Sequence, residues 1–242
     1  MKLNNIYCID ALEGLSKLED GSIDLIITSP PYNKTGLNGK CKGAKWNKTI
    51  DYGGDVNNDN KPESEYQEWM VKILDECYRV LKDDGSLFLN HKNRIKKGKG
   101  EITTPMEFIR LSKFKLRQEI IWQHSGSANV DPSRYVPTFE QIYWLTKGKN
   151  VSFRRDKDCQ YKRDVWQITQ KKNTKHPAPF PIDIPNNIIP SVAQGKRIIV
   201  LDPFMGSGTV AVSAIDNGCD YIGFELLPEY VEMAQERIRD NS

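Results

Sequence analysis

Two stretches of the sequence carry side chains that could do chemistry. The first is Thr28-Ser-Pro-Pro-Tyr-Asn33, which follows the apolar run Ile23–Thr28. Two prolines fix the backbone and remove two N–H donors. What remains is a rigid turn offering carbonyl oxygens, a hydroxyl and an aromatic ring. That set suits a planar ligand with an exocyclic amine, which would donate to Ser29 Oγ and the Pro30 carbonyl while Tyr32 stacks on the ring. A Pro-Pro turn that only ends a strand explains the same letters equally well. The second stretch is Leu201-Asp-Pro-Phe-Met-Gly-Ser-Gly-Thr-Val-Ala211. Glycines after a strand let the backbone approach a ligand at the carboxyl edge of an open α/β sheet. Gly206-x-Gly208-x-x-Ala211 is a loose dinucleotide fingerprint, and Glu225 stands 19 positions past Gly206, where a ribose-binding acid belongs. A tight strand–helix turn without a ligand accounts for it too. No Lys follows Gly208, so this is not a Walker loop. Only 34 residues follow Gly208, too few to complete a nucleotide-binding sheet, so earlier strands must finish it.

The elements that would position these stretches are short apolar runs alternating with helical patterns. Ile23–Thr28, Gly85–Asn90 and Arg197–Asp202 are rich in Val, Ile and Leu, as strands buried on both faces of a parallel sheet are. Tyr66, Trp69, Met70, Ile73, Leu74, Cys77, Tyr78 and Leu81 recur at three- and four-residue steps, which predicts a helix over 63–82. Pro62 suits its entry and Asp83-Asp84-Gly85 its exit. Further strands are expected at Asn5–Ile9, Leu116–Gln123, Gln141–Thr146 and Tyr221–Leu226. Further helices are expected at Leu12–Leu18, Thr209–Asp216 and Pro228–Arg239. The alternation predicts one α/β domain over 1–242 with a mostly parallel sheet flanked by helices. Two segments break it: 33–61, rich in Gly and Asn and a candidate mobile loop, and the basic segment 147–175.

Composition narrows the function classes. At 242 residues, the chain buries enough surface to need neither disulfide nor metal for its core. No apolar run approaches a membrane span, and the N-terminus carries no secretory pattern, so a soluble, cytoplasmic protein is expected. The five cysteines are scattered, with no CxxC or CxxH pair, which supports no metal site. Cys8 and Cys77 read as core thiols. His91 and His124 have no carboxylate or Cys at ligand spacing and read as surface or packing residues. The net charge is only +3, but 147–175 holds ten Lys/Arg against three acids. Five more bases lie between Lys92 and Lys99. Either cluster could be a solvated loop or a nucleic-acid contact.

Taken together, Ser29-Pro-Pro-Tyr32 and Asp202-Pro-Phe-Met-Gly-Ser-Gly-Thr209 resemble the catalytic and cofactor motifs of amino-methylating DNA methyltransferases. The order, catalytic motif first and glycine motif last, is similar to that of the permuted beta group. The resemblance spans nearly the whole chain: Tyr7-Cys-Ile-Asp10-Ala-Leu-Glu-Gly-Leu, Tyr66-x-x-Trp69 through Gly85-Ser-Leu-Phe, His176-Pro-Ala-Pro-Phe-Pro181 and Gly223-Phe-Glu225-Leu all fall in family order.

The resemblance implies a circularly permuted, Rossmann-like fold that uses S-adenosylmethionine. Gly206, Ser207 and Gly208 would line its methionine part, with Met205 and Thr209 adjoining them. Asp202 would lie near the ammonium and Phe204 beside it. Glu225, next to Leu226, would accept from the ribose hydroxyls. Asp10, next to Ala11, would lie near the adenine, and His176 with its prolines would close the pocket. Ser29, Pro30, Pro31 and Tyr32 would be catalytic. A base in a duplex must be flipped out to be reached. Ser29 and the Pro30 carbonyl would then hold the amine toward the sulfonium methyl, with no covalent intermediate. C5-methylation would need a nucleophilic Pro-Cys, which is absent. Ser at the head of the motif, with His-Pro-Ala-x-Phe-Pro, favours cytosine N4, with adenine N6 as the alternative. Double-stranded DNA is the implied partner, contacted by bases such as Lys96, Lys97, Arg154, Arg155, Lys171 and Lys172. Phe153, Tyr161 and Trp166 among them would aid recognition or form a small core. A cognate restriction endonuclease would accompany the enzyme. The competing classes are a nucleotide-binding oxidoreductase, which would change cofactor absorbance without moving a methyl group, and a non-catalytic DNA-binding module, which would ignore S-adenosylmethionine.

Overall fold

The computed structural model describes residues 1–33, 61–95, 101–125, 135–155, 159–169 and 181–241. In chain order the elements are β1 (Asn5–Cys8), α1 (Ala11–Ser16), β2 (Ile23–Thr28), α2 (Glu63–Val80), β3 (Leu81–His91), β4 (Arg94–Ile95), β5 (Ile102–Thr103) and α3 (Met106–Leu111). They continue with β6 (Lys115–Gln123), β7 (Phe139–Thr146), β8 (Val165–Gln167), α4 (Asp183–Ala193), β9 (Ile199–Asp202), α5 (Thr209–Asp216), β10 (Asp220–Glu225) and α6 (Pro228–Asn241). Eight strands form one sheet in the order β1-β10-β9-β2-β3-β7-β6-β8. Among the described residues β7 alone runs against the other strands of that sheet. The expected α/β architecture is present.

Helices cover both faces, and the pleat decides which side chain meets which layer. Leu25 and Ile27 of β2 pack with Ile184, Ile188 and Val210 on the side of α4 and α5. Ile26 points the other way, with Leu15 of α1, Tyr66, Met70 and Leu74 of α2 and Phe108 of α3. Both faces of the central strands are thus dry, which is why those strands read as unbroken apolar runs.

Several expectations change. The helix over 63–82 stops at Val80, because Leu81 is already extended (φ −72°, ψ 140°). Leu81 pairs with Ile23 and Ser86 with Leu25, so Lys82–Gly85 bulge out inside β3 rather than ending the helix. Gly85 permits this: a Cβ there would stand 2.9 Å from the Asp24 carbonyl oxygen. The sequence does not predict α4, since Pro185 and Pro190 argue against a helix. Pro185 falls in its first turn, where no N–H is needed, and burial of Ile184, Ile188, Ile189 and Val192 outweighs the break at Pro190. Cys77 is buried as expected, but Cys8 is exposed at the end of the edge strand β1. The aromatics of the basic segment form no separate core. Trp166 is buried in the main cluster, and Phe153 and Tyr161 pack against it. Most of the expected loop at 33–61 lies outside the described residues.

Candidate functional site

β9 lies beside β2, with Leu25 opposite Val200 and Ile26 opposite Leu201. Two turns 174 positions apart are therefore neighbours, and the buried Thr28 Oγ1 donates to Asp202 Oδ1 at 2.7 Å. The sheet changes direction of growth here. β2 leads outward to β3 on one side, and β9 to β10 on the other. Such a switch point opens a crevice at the carboxyl ends of the strands.

The β9 side of the crevice is acidic. Asp202 is 4% exposed. Burial pushes its carboxyl up to about 7 and nearby Glu225 adds to this, against the pull of the Thr28 hydroxyl and the Phe204 N–H. Both of those bonds fall on Oδ1. Glu225, at the end of β10, accepts from Gly206 N–H at 2.9 Å on Oε2 and from Leu227 N–H at 3.0 Å on Oε1. Burial raises its carboxyl as well. β1 follows in the sheet, with Cys8 opposite Glu225, and just beyond it Asp10 caps α1 by accepting from Leu12 and Glu13 N–H. Three carboxylates thus end three adjacent strands. Backbone donors fix their orientation, so they suit a ligand with positive charge near Asp202 and hydroxyl groups near Glu225.

The glycine turn between them has a partly different reason from the one expected. Gly206 and Gly208 both have positive φ (51° and 78°). At Gly208 a Cβ would stand 2.9 Å from Ala234 Cβ of α6, so this glycine admits a helix as well as a left-handed turn. Phe204 meets Trp69 of α2 edge-on, with ring centroids 5.5 Å apart. Met205 and Ala11 are buried in the core clusters. The Leu226 carbonyl accepts from the Cys8 thiol. Arg237 of α6, which carries no sequence signal, donates to Thr209 Oγ1 at 2.7 Å and to the Ser207 carbonyl at 3.3 Å. It ties the turn to the last helix.

The β2 side is a polar network. Ser29 Oγ lies 3.0 Å from the Tyr32 oxygen, and the Tyr32 hydroxyl donates to Glu140 Oε2 at 2.8 Å. Asn90 Nδ2 donates to the Tyr32 oxygen at 2.6 Å and to Glu140 Oε2 at 3.0 Å. One face of Tyr32 is stacked on His91 at 4.5 Å. His91 is fully buried. Its Nδ1 lies 2.8 Å from Lys92 N and 2.9 Å from the Lys92 carbonyl oxygen, and its Nε2 lies 2.8 Å from the Tyr66 oxygen. Tyr66 in turn donates to the Pro31 carbonyl at 2.7 Å. Lys92 Nζ stands 3.5 Å from Glu140 Oε1. Burial and the Glu140 charge hold the Tyr32 phenol well above its ordinary value, so it keeps its proton. Asn90, His91 and Glu140 carry no motif of their own, and Tyr66 reads only as part of a helix pattern. The available signal was topological: a reversed β7 begins where β2 and β3 end.

The basic candidates divide. Arg154 and Arg155 are exposed. Ser152 N–H binds the Asp84 carbonyl, in the opening third of β3, and Arg154 N–H binds the Ser191 carbonyl of α4. This anchors the pair toward the opposite edge of the sheet from Ser29. Lys96, Lys97, Lys171, Lys172 and His176 lie outside the described residues. Among the described residues no helix is long and apolar enough to cross a membrane, and no His/Cys/Asp/Glu group could hold a metal ion.

Residues 23–236 match the family model N6_N4_Mtase, described as DNA methylase. The chain is 30% identical over 96% of its length to the type II methyltransferase M.HpaI of Haemophilus parainfluenzae, covering 73% of that protein. It is 28% identical over 95% of its length to the DNA adenine methyltransferase YhdJ of Escherichia coli strain K12, covering 80% of it. Among solved structures, the PvuII DNA methyltransferase (cytosine-N4-specific) superposes with a TM-score of 0.74 at 22% identity, over 98% of this chain and 90% of that one.

Proposed function

The chain belongs to the N6/N4 DNA methylase family, and from that premise we propose that it methylates the exocyclic N4 of cytosine in duplex DNA, as the modification partner of a restriction endonuclease. The enzyme is a DNA methyltransferase with the Rossmann-like fold of that family, and its methyl donor is S-adenosylmethionine. The observation that carries the reading is the 2.7 Å bond from Thr28 to Asp202. It holds an amine-accepting turn directly beside a crevice built for a cation.

The residues at the crevice fit the donor. Its ammonium and sulfonium charges suit Asp202, whose carboxylate is costly to bury without a positive neighbour. Glu225 keeps lone pairs for the ribose hydroxyls after its two backbone bonds. Bound there, S-adenosylmethionine supplies an electrophilic methyl group on sulfur. The protein does the rest. Tyr32 stacks on the flipped base, and Ser29 Oγ and the Pro30 carbonyl accept from the two amine hydrogens. An exocyclic amine is a poor nucleophile while its lone pair is delocalised into the ring, and these acceptors favour the tetrahedral nitrogen that can react. Alignment of that nitrogen supplies most of the acceleration. Asp10, His176 and the glycine turn complete the donor's pocket, and the bases at 96–97 and 171–172 serve the DNA backbone.

Ser29 is the basis for choosing cytosine, because the adenine-specific relatives of this motif more often carry Asp or Asn at its head. Adenine N6 is the second reading, and the likeness to an adenine methyltransferase over 95% of the chain favours it. Mass spectrometry of nucleosides from DNA methylated by the purified protein tests both. N4-methylcytosine is the expected product. N6-methyladenine would replace the first reading with the second, and absence of any methylated base would end both.

A further inference from the structure

We infer that Glu140 is the terminal proton acceptor of the reaction, reached from the target amine through Ser29 and Tyr32. The inference rests on the reading that Ser29 receives an exocyclic amine. The Tyr32 hydroxyl has one proton and meets Glu140 Oε2 at 2.8 Å, Asn90 Nδ2 at 2.6 Å and Ser29 Oγ at 3.0 Å. A carboxylate only accepts and an amide NH2 only donates. The Tyr32 proton therefore goes to Glu140, and the Tyr32 oxygen accepts from Asn90. The Ser29 contact is then an O–H donating to Tyr32. This fixes the serine proton away from the substrate and leaves Ser29 Oγ as an acceptor for the amine.

The same orientation provides an exit for the proton. As the amine nitrogen forms its bond to the methyl carbon, the carbon–sulfur bond breaks and the sulfonium becomes a neutral thioether. The methylated nitrogen then carries a surplus proton. That proton passes to Ser29 Oγ, the serine proton to the Tyr32 oxygen, and the tyrosine proton to Glu140 Oε2. The base leaves neutral and Glu140 is protonated; with a side chain 12% exposed, it can return the proton to water. Lys92 Nζ stands 3.5 Å from the other carboxylate oxygen. Asn90 donates to both Tyr32 and Glu140, so it braces the chain without carrying the proton. Glu140 and Asn90 act through other residues and are positioning residues here.

The test uses the full-length protein, with single-turnover methylation at saturating cofactor and DNA and with both dissociation constants measured separately. Glu140→Gln keeps shape and hydrogen bonding but cannot take a proton, and Tyr32→Phe keeps the ring but removes the middle carrier. Each is expected to slow transfer by about 10²-fold, in the range of general-base losses, while both dissociation constants stay within about twofold. Because the groups act as a unit, the double variant should be no slower than the slower single one. Glu140→Asp should recover part of the rate. Transfer by Glu140→Gln within about threefold of the natural protein, or losses that multiply in the double variant, would overturn the relay. If Glu140→Gln does not fold, Tyr32→Phe and Glu140→Asp decide in its place: full transfer by Tyr32→Phe would overturn the relay just as well. Should the natural protein place its methyl on a ring atom or on no base, the functional reading fails. If it methylates the amine and the variants do so equally well, only the relay fails.

Discussion

The two turns at the switch point are built in opposite ways. The glycine turn is held largely by its neighbours in the chain and by the next strand: Phe204 and Gly206 N–H to Asp202 and Glu225, and Leu227 N–H back to Glu225. The Ser-Pro-Pro-Tyr turn is held by side chains from α2, the end of β3 and the start of β7: Tyr66, Asn90, His91 and Glu140. A turn whose donors are backbone N–H groups tolerates little backbone change and depends on the two carboxylates that accept from it. A reacting turn made of side chains is adjustable, and each of its partners can be altered alone. Under the proposed function the difference is one of division of labour, between holding a cation and handling an amine.

The comparison breaks most visibly at Gly208. Gly208→Val forces a β-branched residue into a left-handed conformation and against Ala234. It should cost about 2–4 kcal/mol of stability and abolish cofactor binding, read by thermal denaturation and calorimetry. A variant as stable as the parent would show that the turn is not backbone-determined.

Ser29→Ala should do the reverse. Cofactor affinity stays, while single-turnover transfer falls by about 10²–10³-fold, by analogy with losing one oxyanion-hole donor. Comparable rates would remove this turn from the chemistry.

Within the same turn, Tyr32→Ala should be slower than Tyr32→Phe by a further 1–3 kcal/mol or so, the stacking of one base. A mismatched target pair is cheaper to flip and should recover part of that additional loss. Recovery absent on every mismatch would argue that the ring does not meet the base.

The acidic side is sharpened by pH. The Asp202 carboxyl is raised to about 7 by burial, so in the absence of ligand its contribution to stability is full below the unfolded value near 4 and is lost as pH rises through 7. A cationic ligand reverses the preference by favouring the ionised form. Cofactor affinity should therefore rise with pH, by at most about tenfold per unit, and level off above 7. Asp202→Asn should bind weakly with that dependence gone, as titration calorimetry between pH 5.5 and 8.5 would show. A pH-independent parent would exclude this coupling.

The smallest effect is expected at Arg154 and Arg155. Neutralising both should change the slope of log affinity against log salt by less than about 0.9, the share of one phosphate contact, because their anchors are Asp84 and Ser191. A larger change would place DNA across that edge of the sheet.

Local letters were enough for the strand ends and for the carboxylates and glycines that the proposed function assigns to the donor. Asp202, Gly206, Gly208 and Glu225 sit within one βαβ unit, where chain neighbours are also space neighbours, and the apolar runs flanking them can only be strands buried on both faces. The strands that flank β9 and β10 in the sheet, β2 and β1, come from earlier in the chain. Tertiary structure alone decided the rest. The Lys82–Gly85 bulge depends on the register of β3 against β2, and α4 forms because burial on its neighbours outweighs the break at Pro190. Glu140 reaches Tyr32 only because β7 is reversed. Its first residues therefore meet the ends of β2 and β3, a proximity between residues 108 positions apart that no local spacing encodes. Residues that bind through the backbone leave a motif in the sequence. Residues that act by meeting across strands acquire their role from topology.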